Sequence, residues 1–124
     1  IVCNLVLCIV PEDDVGLILR NIKTLLAPGG KALVGFCNPL IWNVAESQLD
    51  YRHHEGGPYH MNHAFMKTKK EGDYQIKELH RPIEWYTRVF ETADLELKGI
   101  YFTPDYEFNG RRLNDFVIFE LARS

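Results

Sequence analysis

The residues best equipped for chemistry in this chain are its five histidines, His53, His54, His60, His63 and His80, four of them inside "YRHHEGGPYHMNH". A neutral imidazole, with an ordinary pKa of about 6.5, can accept a proton from a hydroxyl, an amine or an acidic carbon. His60 and His80 are the candidates for that work, while loop hydrogen bonding is the plainer role for His53 and His54. A metal centre would need more. His60 and His63 have the spacing of two ligands on one helical turn, but Gly56, Gly57 and Pro58 argue against a helix just upstream, and no adjacent cysteine or carboxylate completes a set. No metal is expected.

Such side chains must be held by elements, and "LLAPGGKALVGF", Leu25 to Phe36, contains the corner between two of them. Upstream, Val15, Ile18, Leu19, Ile22, Leu25 and Leu26 recur at three- and four-residue spacing, one stripe of an amphipathic helix. Glu12, Asp13 and Asp14 occupy its first turn, where carboxylates meet the positive end of the helix dipole, and Pro11 stands just before. Pro28 stops the helix, and Gly29 or Gly30 is expected to cap it in the left-handed conformation. Downstream, "KALVGF" reads as a buried strand, and so does "IVCNLVLCIV" ahead of the helix, both without the polar alternation of a sheet with one wet face. A crossover helix joining parallel strands is the unit of an open α/β sheet.

Further along, Trp42, Val44, Ala45 and Leu49 suggest a short amphipathic helix, followed by a loop over "YRHHEGGPYHMNH" and a hairpin of "HAFMKTK" with "DYQIKEL" around Lys70-Glu71-Gly72. Residues 40–79 therefore form an insertion over one end of the sheet, within a single domain spanning 1–124. Pro82 suits the first turn of a helix carrying Ile83, Tyr86, Val89, Phe90 and Ala93, with Trp85 and Tyr86 as core or interface residues. A strand with Leu97, Ile100, Tyr101 and Phe102 follows, and "DFVIFELA" is the last. The segment between them is too short for a crossover helix, so the closing pair is expected to be antiparallel.

Composition bounds the class. At 124 residues, 46% hydrophobic and 25% charged, the chain has the size and balance of one ordinary globular domain. No apolar run reaches the length of a membrane span, and Ile1 to Val10 lacks the flanks of a secretory leader. Cys3, Cys8 and Cys37 are odd in number and lie in or beside core strands, which favours reduced thiols and a cytoplasmic setting. The net charge of −3 argues against a nucleic-acid surface. Lys67, Lys69 and Lys70 read as a solvated hairpin rather than a phosphate track.

The order of these segments resembles a known family, the class I S-adenosylmethionine-dependent methyltransferases. "NLVLCIVPEDDVGLILRNIKTLLAPGGKALVGF" is similar to the family's run from the end of the fourth strand through the fifth, with its "L-x-PGG-x-L" corner. "HRPIEWYTRVFETADLELKGIYFTPDY" resembles the helix and sixth strand, and "DFVIFEL" the antiparallel seventh. The fold implied is a partial Rossmann-like methyltransferase fold, parallel strands with crossover helices closed by an antiparallel hairpin. The resemblance implies S-adenosylmethionine as cofactor and a small molecule as acceptor. It sets Asn4, Leu5 and Val6 beside the methionine part of the cofactor; the other reading of Asn4 is that it satisfies backbone groups at a strand end.

In that setting Trp42, Tyr51, Tyr59, His60, His63 and Phe65 are candidates for an aromatic lid over the acceptor, with Tyr59, His60 and His80 making polar contacts. Arg81 either serves the substrate pocket or lies on the surface where the helix begins. The sequence also departs from the family. It contains neither the glycine-rich loop after the first strand nor the acidic end of the second, so Ile1 is expected to be internal to a longer protein. The chain would then be the substrate-side half, inactive alone. Its first strand would have an open edge, which favours pairing with a second copy, a homodimer, or with another chain. The alternatives are a non-catalytic α/β interaction domain assembling through that edge, and a nicotinamide-dependent enzyme, which fits the closing hairpin poorly.

Overall fold

A computed structural model of the chain describes residues 1–53 and 57–124; His54 and Gly56 lie outside them. The first strand, β1 (Val2–Asn4), is far shorter than its apolar run. Leu5 adopts φ +60°, which turns the backbone out of the strand, and Leu7 and Cys8 drop into the core from the turn that follows. Helix α1 (Glu12–Leu25) begins at an extended Pro11 and buries Val15, Leu19 and Ile22. Leu25, expected on that stripe, is 75% exposed, because the chain leaves the helix there and Leu26 takes the inward place. Gly29 does adopt φ +77°, but it shapes a turn after the helix and does not cap it: Pro28 and Gly29 fill the central positions, and the Gly30 N–H donates to the Ala27 carbonyl at 2.8 Å.

Strand β2 (Lys31–Cys37) pairs parallel with β1, Val2 opposite Leu33 and Asn4 opposite Gly35. After a 3-10 turn at Pro39–Ile41, a second sheet is built from β3 (Asp50–His53), β4 (His63–Lys69) and β5 (Tyr74–His80), all antiparallel. The short helix expected near Trp42 is absent. Asn38 holds the Leu40 N–H instead, and residues 45–47 run beside the start of β3, with the Arg52 N–H on the Ala45 carbonyl and the Ser47 N–H on the Asp50 carbonyl. This pairing also explains why Tyr51 to His53, expected in a loop, lie in a strand.

Helix α2 (Ile83–Thr92) starts at Pro82 and buries Tyr86 and Phe90. Strand β6 (Leu95–Phe102) and β9 (Phe116–Arg123) flank an unexpected small hairpin, β7 (Tyr106–Phe108) and β8 (Arg111–Leu113), turned by Asn109 and Gly110 at φ +51° and +77°. The main sheet runs β1-β2-β9-β6, with β9 antiparallel to both neighbours.

Among the described residues, the main core lies on one face of the four-stranded sheet. Val34, Phe36, Val117, Phe119 and Leu121 meet α1 and α2 on the same face of the sheet, with the Phe36 and Tyr86 rings 4.2 Å apart. The opposite face is open in this chain: Val2 is 74% and Leu33 41% exposed, so β1 and β2 are covered on one side and not on both. Strand β1 also forms the sheet's edge. Among the described residues, no helix is long and apolar enough to cross a membrane.

Candidate active site at the carboxyl ends of the parallel strands

Open α/β sheets receive ligands beyond the carboxyl ends of their parallel strands, here Asn4 to Val6 after β1 and Cys37 to Pro39 after β2. Asn4 and Leu5 are exposed and Val6 is half-buried. The absence of a Cβ on Gly35 makes room for Asn4, whose Oδ1 lies 3.0 Å from where that atom would be. Leu5 stays tethered to β2, its N–H donating to the Gly35 carbonyl at 2.8 Å. A cleft of about 440 Å³ opens beside it, between the turn after β1 and strand β5, lined by Leu5, Cys8, Ile9, Cys37, Glu78 and Phe116 among others.

On the other side of that turn the second sheet packs its aromatic residues. Register places His63 opposite His80 across β4 and β5. Trp42 is buried against both rings, stacked on His80 at 4.4 Å and on His63 at 5.1 Å, and tilted on Phe65 at 6.1 Å. The His80 Nε2 bonds the Tyr59 carbonyl at 2.8 Å, which makes Nε2 the protonated nitrogen and leaves a lone pair on Nδ1. That Nδ1 is buried without a hydrogen-bond partner. Burial holds the His80 imidazole below its ordinary pKa and outweighs the opposing pull of the Tyr59 carbonyl. The ring lines both a small internal cavity of about 10 Å³, shared with Arg52 and Asn38, and an open groove of about 260 Å³, shared with Glu12, Asn62 and His63. Arg52 Nη1 is likewise buried and unpartnered. A proton acceptor and a cationic donor thus line one small cavity.

The other expected residues are distributed differently. Tyr59 accepts the Ile83 N–H at 3.0 Å and so caps the start of α2. His60 stands apart from the groove, largely exposed, with Nδ1 2.6 Å from Glu84 Oε1 on the first turn of α2. Arg81 is not on the surface. It is buried, donates to the Leu7 carbonyl at 2.8 Å and the Val10 carbonyl at 2.6 Å, and stacks on Trp85, so its guanidinium fixes the turn after β1. Tyr51 is exposed, under the Lys70 ammonium. Among His53's contacts is Thr68 Oγ1 at 2.9 Å.

The lysine cluster departs most from the expectation of a solvated hairpin. Lys67 is fully buried, donating to Glu78 Oε1 at 2.9 Å and Cys37 Sγ at 3.3 Å, with Asp50 Oδ2 at 3.6 Å. Burial opposes its charge, but Glu78, Cys37 and Asp50 together raise its pKa. Lys69 closes on Asp50 Oδ1 at 2.6 Å, and Arg52 lies 3.6 Å from Asp50 Oδ2. Strand alternation contained a signal for this: Phe65 and Lys67 are two apart and therefore share a face.

No protein-family model and no curated protein matches the sequence. Solved structures do match. An assigned S-adenosylmethionine-dependent methyltransferase from Listeria monocytogenes is similar over 99% of this chain and 60% of its own, at 13% identity and a TM-score of 0.67. One from Mesorhizobium loti is similar over 98% and 60%, at 13% identity and 0.65. A glycopeptide N-methyltransferase complexed with S-adenosyl-L-methionine covers 93% of this chain and 52% of its own, at 16% identity and 0.56. The chain thus spans about three-fifths of the length of the first of these structures. Its fold is that of the class I S-adenosylmethionine-dependent methyltransferases.

Proposed function

We propose that this chain supplies the substrate side of an S-adenosylmethionine-dependent methyltransferase acting on a small molecule, and that it has no activity by itself. The observation that carries the reading is His80: a neutral, buried imidazole with an unpartnered acceptor nitrogen, stacked on Trp42 beside a groove next to the carboxyl end of the sheet. Bound S-adenosylmethionine supplies an electrophilic methyl group on a good leaving group, so alignment in a dry site provides much of the acceleration. His63 would wall the acceptor, with Trp42 packed against both imidazoles, and His80 Nδ1 would take its proton as the new bond forms. Tyr59 acts through His80 by fixing its tautomer. His60, tied to Glu84 outside the groove, would bear on the acceptor only from the rim, and Arg81 only by holding the turn.

The residues present fit one end of the cofactor. Asn4 offers an exposed amide at the carboxyl end of β1, while Leu5 and half-buried Val6 offer apolar surface beside the methionine chain. The nucleoside end, which the family resemblance assigns to a glycine-rich loop and an acidic residue, has no counterpart in these 124 residues. That division supports the substrate-side assignment. A protein extended upstream of Ile1, given S-adenosylmethionine with a labelled methyl group and pools of small hydroxyl, amine and carbon acids, should label an acceptor. His80→Asn should slow labelling about 10²-fold. Undiminished labelling in that variant would remove His80 from the chemistry.

The exposed edge of β1 favours a second reading, an interaction domain or homodimer built by strand pairing. Sedimentation of the chain over a range of concentrations tests it: assembly lost on Val2→Pro, which removes an outward-facing N–H while residues 1, 3 and 5 keep the ladder to β2, supports strand pairing, and a concentration-independent monomer rejects it.

A further inference from the structure

We infer that Cys8 and Cys37 form an oxidisable dithiol, a modification site at which a hydroperoxide converts two thiols into an internal disulfide. Cys8 lies in the turn after β1 and Cys37 ends β2, and their sulfurs lie within 4.8 Å of each other and of a Glu78 carboxylate oxygen. The Cys37 thiol and backbone N–H favour the negative charge on the Cys8 sulfur. Lys67 in turn donates to Cys37 Sγ at 3.3 Å. This chain of donors separates the roles of the two groups. The Cys37 bond lowers the Cys8 pKa against its burial, and the same bond, with burial, raises that of Cys37. In the proposed sequence Cys8, in the turn that lines the cleft, reacts first and Cys37 resolves it. Access is provided by the cleft of about 440 Å³, which both residues line.

A divalent ion on the same three side chains fits less well. The Lys67 ammonium already sits on Cys37 Sγ and Glu78 Oε1, two of the three ligand atoms, and would repel an incoming cation.

The chemistry balances with one equivalent of hydroperoxide. The Cys8 thiolate attacks the terminal peroxide oxygen; an S–O bond forms, the O–O bond breaks, and the alkoxide leaves as alcohol with a proton from solvent. The Cys37 sulfur then attacks the Cys8 sulfenic acid, an S–S bond forms, and the hydroxyl leaves as water with the Cys37 thiol proton. The two sulfurs lose two electrons and the peroxide gains them. Lys67 stabilises negative charge developing on Cys37. Closing the sulfurs to about 2.05 Å draws the turn after β1 toward β2, and Leu5, which lines the same cleft, moves with it. The inference stands independently of methyl transfer.

The test is to treat the reduced chain with hydrogen peroxide, alkylate the remaining thiols and map the peptides. Alkylatable thiols should fall from three to one, Cys3, with a peptide cross-linked through Cys8 and Cys37, and Cys8 should react at least tenfold faster than Cys3. Cys37→Ser should abolish the cross-link and leave a Cys8 sulfenic acid that a dimedone probe traps. Mapping of the unsubstituted chain decides the matter if that variant does not fold. Three thiols that stay alkylatable, cross-links through Cys3, or protection of Cys8 and Cys37 by stoichiometric zinc in place of oxidation would each overturn the inference.

Discussion

His80 and Lys67 end up in the same second sheet for opposite reasons. Burial without an ionic partner keeps His80 neutral, whereas burial among Glu78, Asp50 and Cys37 keeps Lys67 charged. The first predicts a pH profile for the extended protein. Protonation of Nδ1 removes the base, and burial holds the pKa below the ordinary 6.5, so the maximal rate should fall as pH is lowered, with its midpoint below pH 6.5. A midpoint above 6.5 would contradict the assignment. The second predicts a stability defect. Lys67→Met leaves Glu78 buried without its cation and should cost about 3 to 5 kcal/mol in urea denaturation. Lys67→Met with Glu78→Leu should recover most of it, and a single variant within 1 kcal/mol of the parent would show the pair to be solvated. At this scale residue type alone made His60 and His80 equal candidates for a proton acceptor, with no reason in the sequence to prefer His80. That preference follows from long-range facts, the Trp42 stack and the Tyr59 carbonyl, which no local pattern encodes.

Elements were more legible where their periodicity was strong and their ends carried punctuation. Helix α1, helix α2, β2, the β4–β5 hairpin and β9 all follow their patterns, because an apolar stripe or run has one stable burial in each case. Residues 40–53 did not, since their conformation is set by pairing along β3 and by Asn38, and the apolar spacing there is incidental. The β7–β8 hairpin was readable and missed: Asn109-Gly110 is the strongest short hairpin signal, and both residues adopt the positive φ it requires. Gly110→Ala meets no atom within 4 Å, so its cost is conformational. It should lower stability by about 1 kcal/mol, measurable as a shift in the urea midpoint; an unchanged midpoint would mean that the turn is not fixed at φ +77°.

At the scale of the whole molecule, the four-stranded sheet has one face packed and, at β1 and β2, one face open, and it ends in an edge strand of three residues. The fold class was accessible from element order, while the open face was not, because apolar runs in β1 and β2 read the same whether or not both sides are covered in this chain. Under the proposed reading the cofactor is held outside this chain, and the open face and edge would adjoin the part that holds it. Calorimetric titration with S-adenosylhomocysteine tests this most directly, run on the 124-residue chain and on a protein extended upstream of Ile1. Binding is expected in the extended protein and none, or far weaker binding, in the chain alone; absence of binding in both would overturn the proposed cofactor.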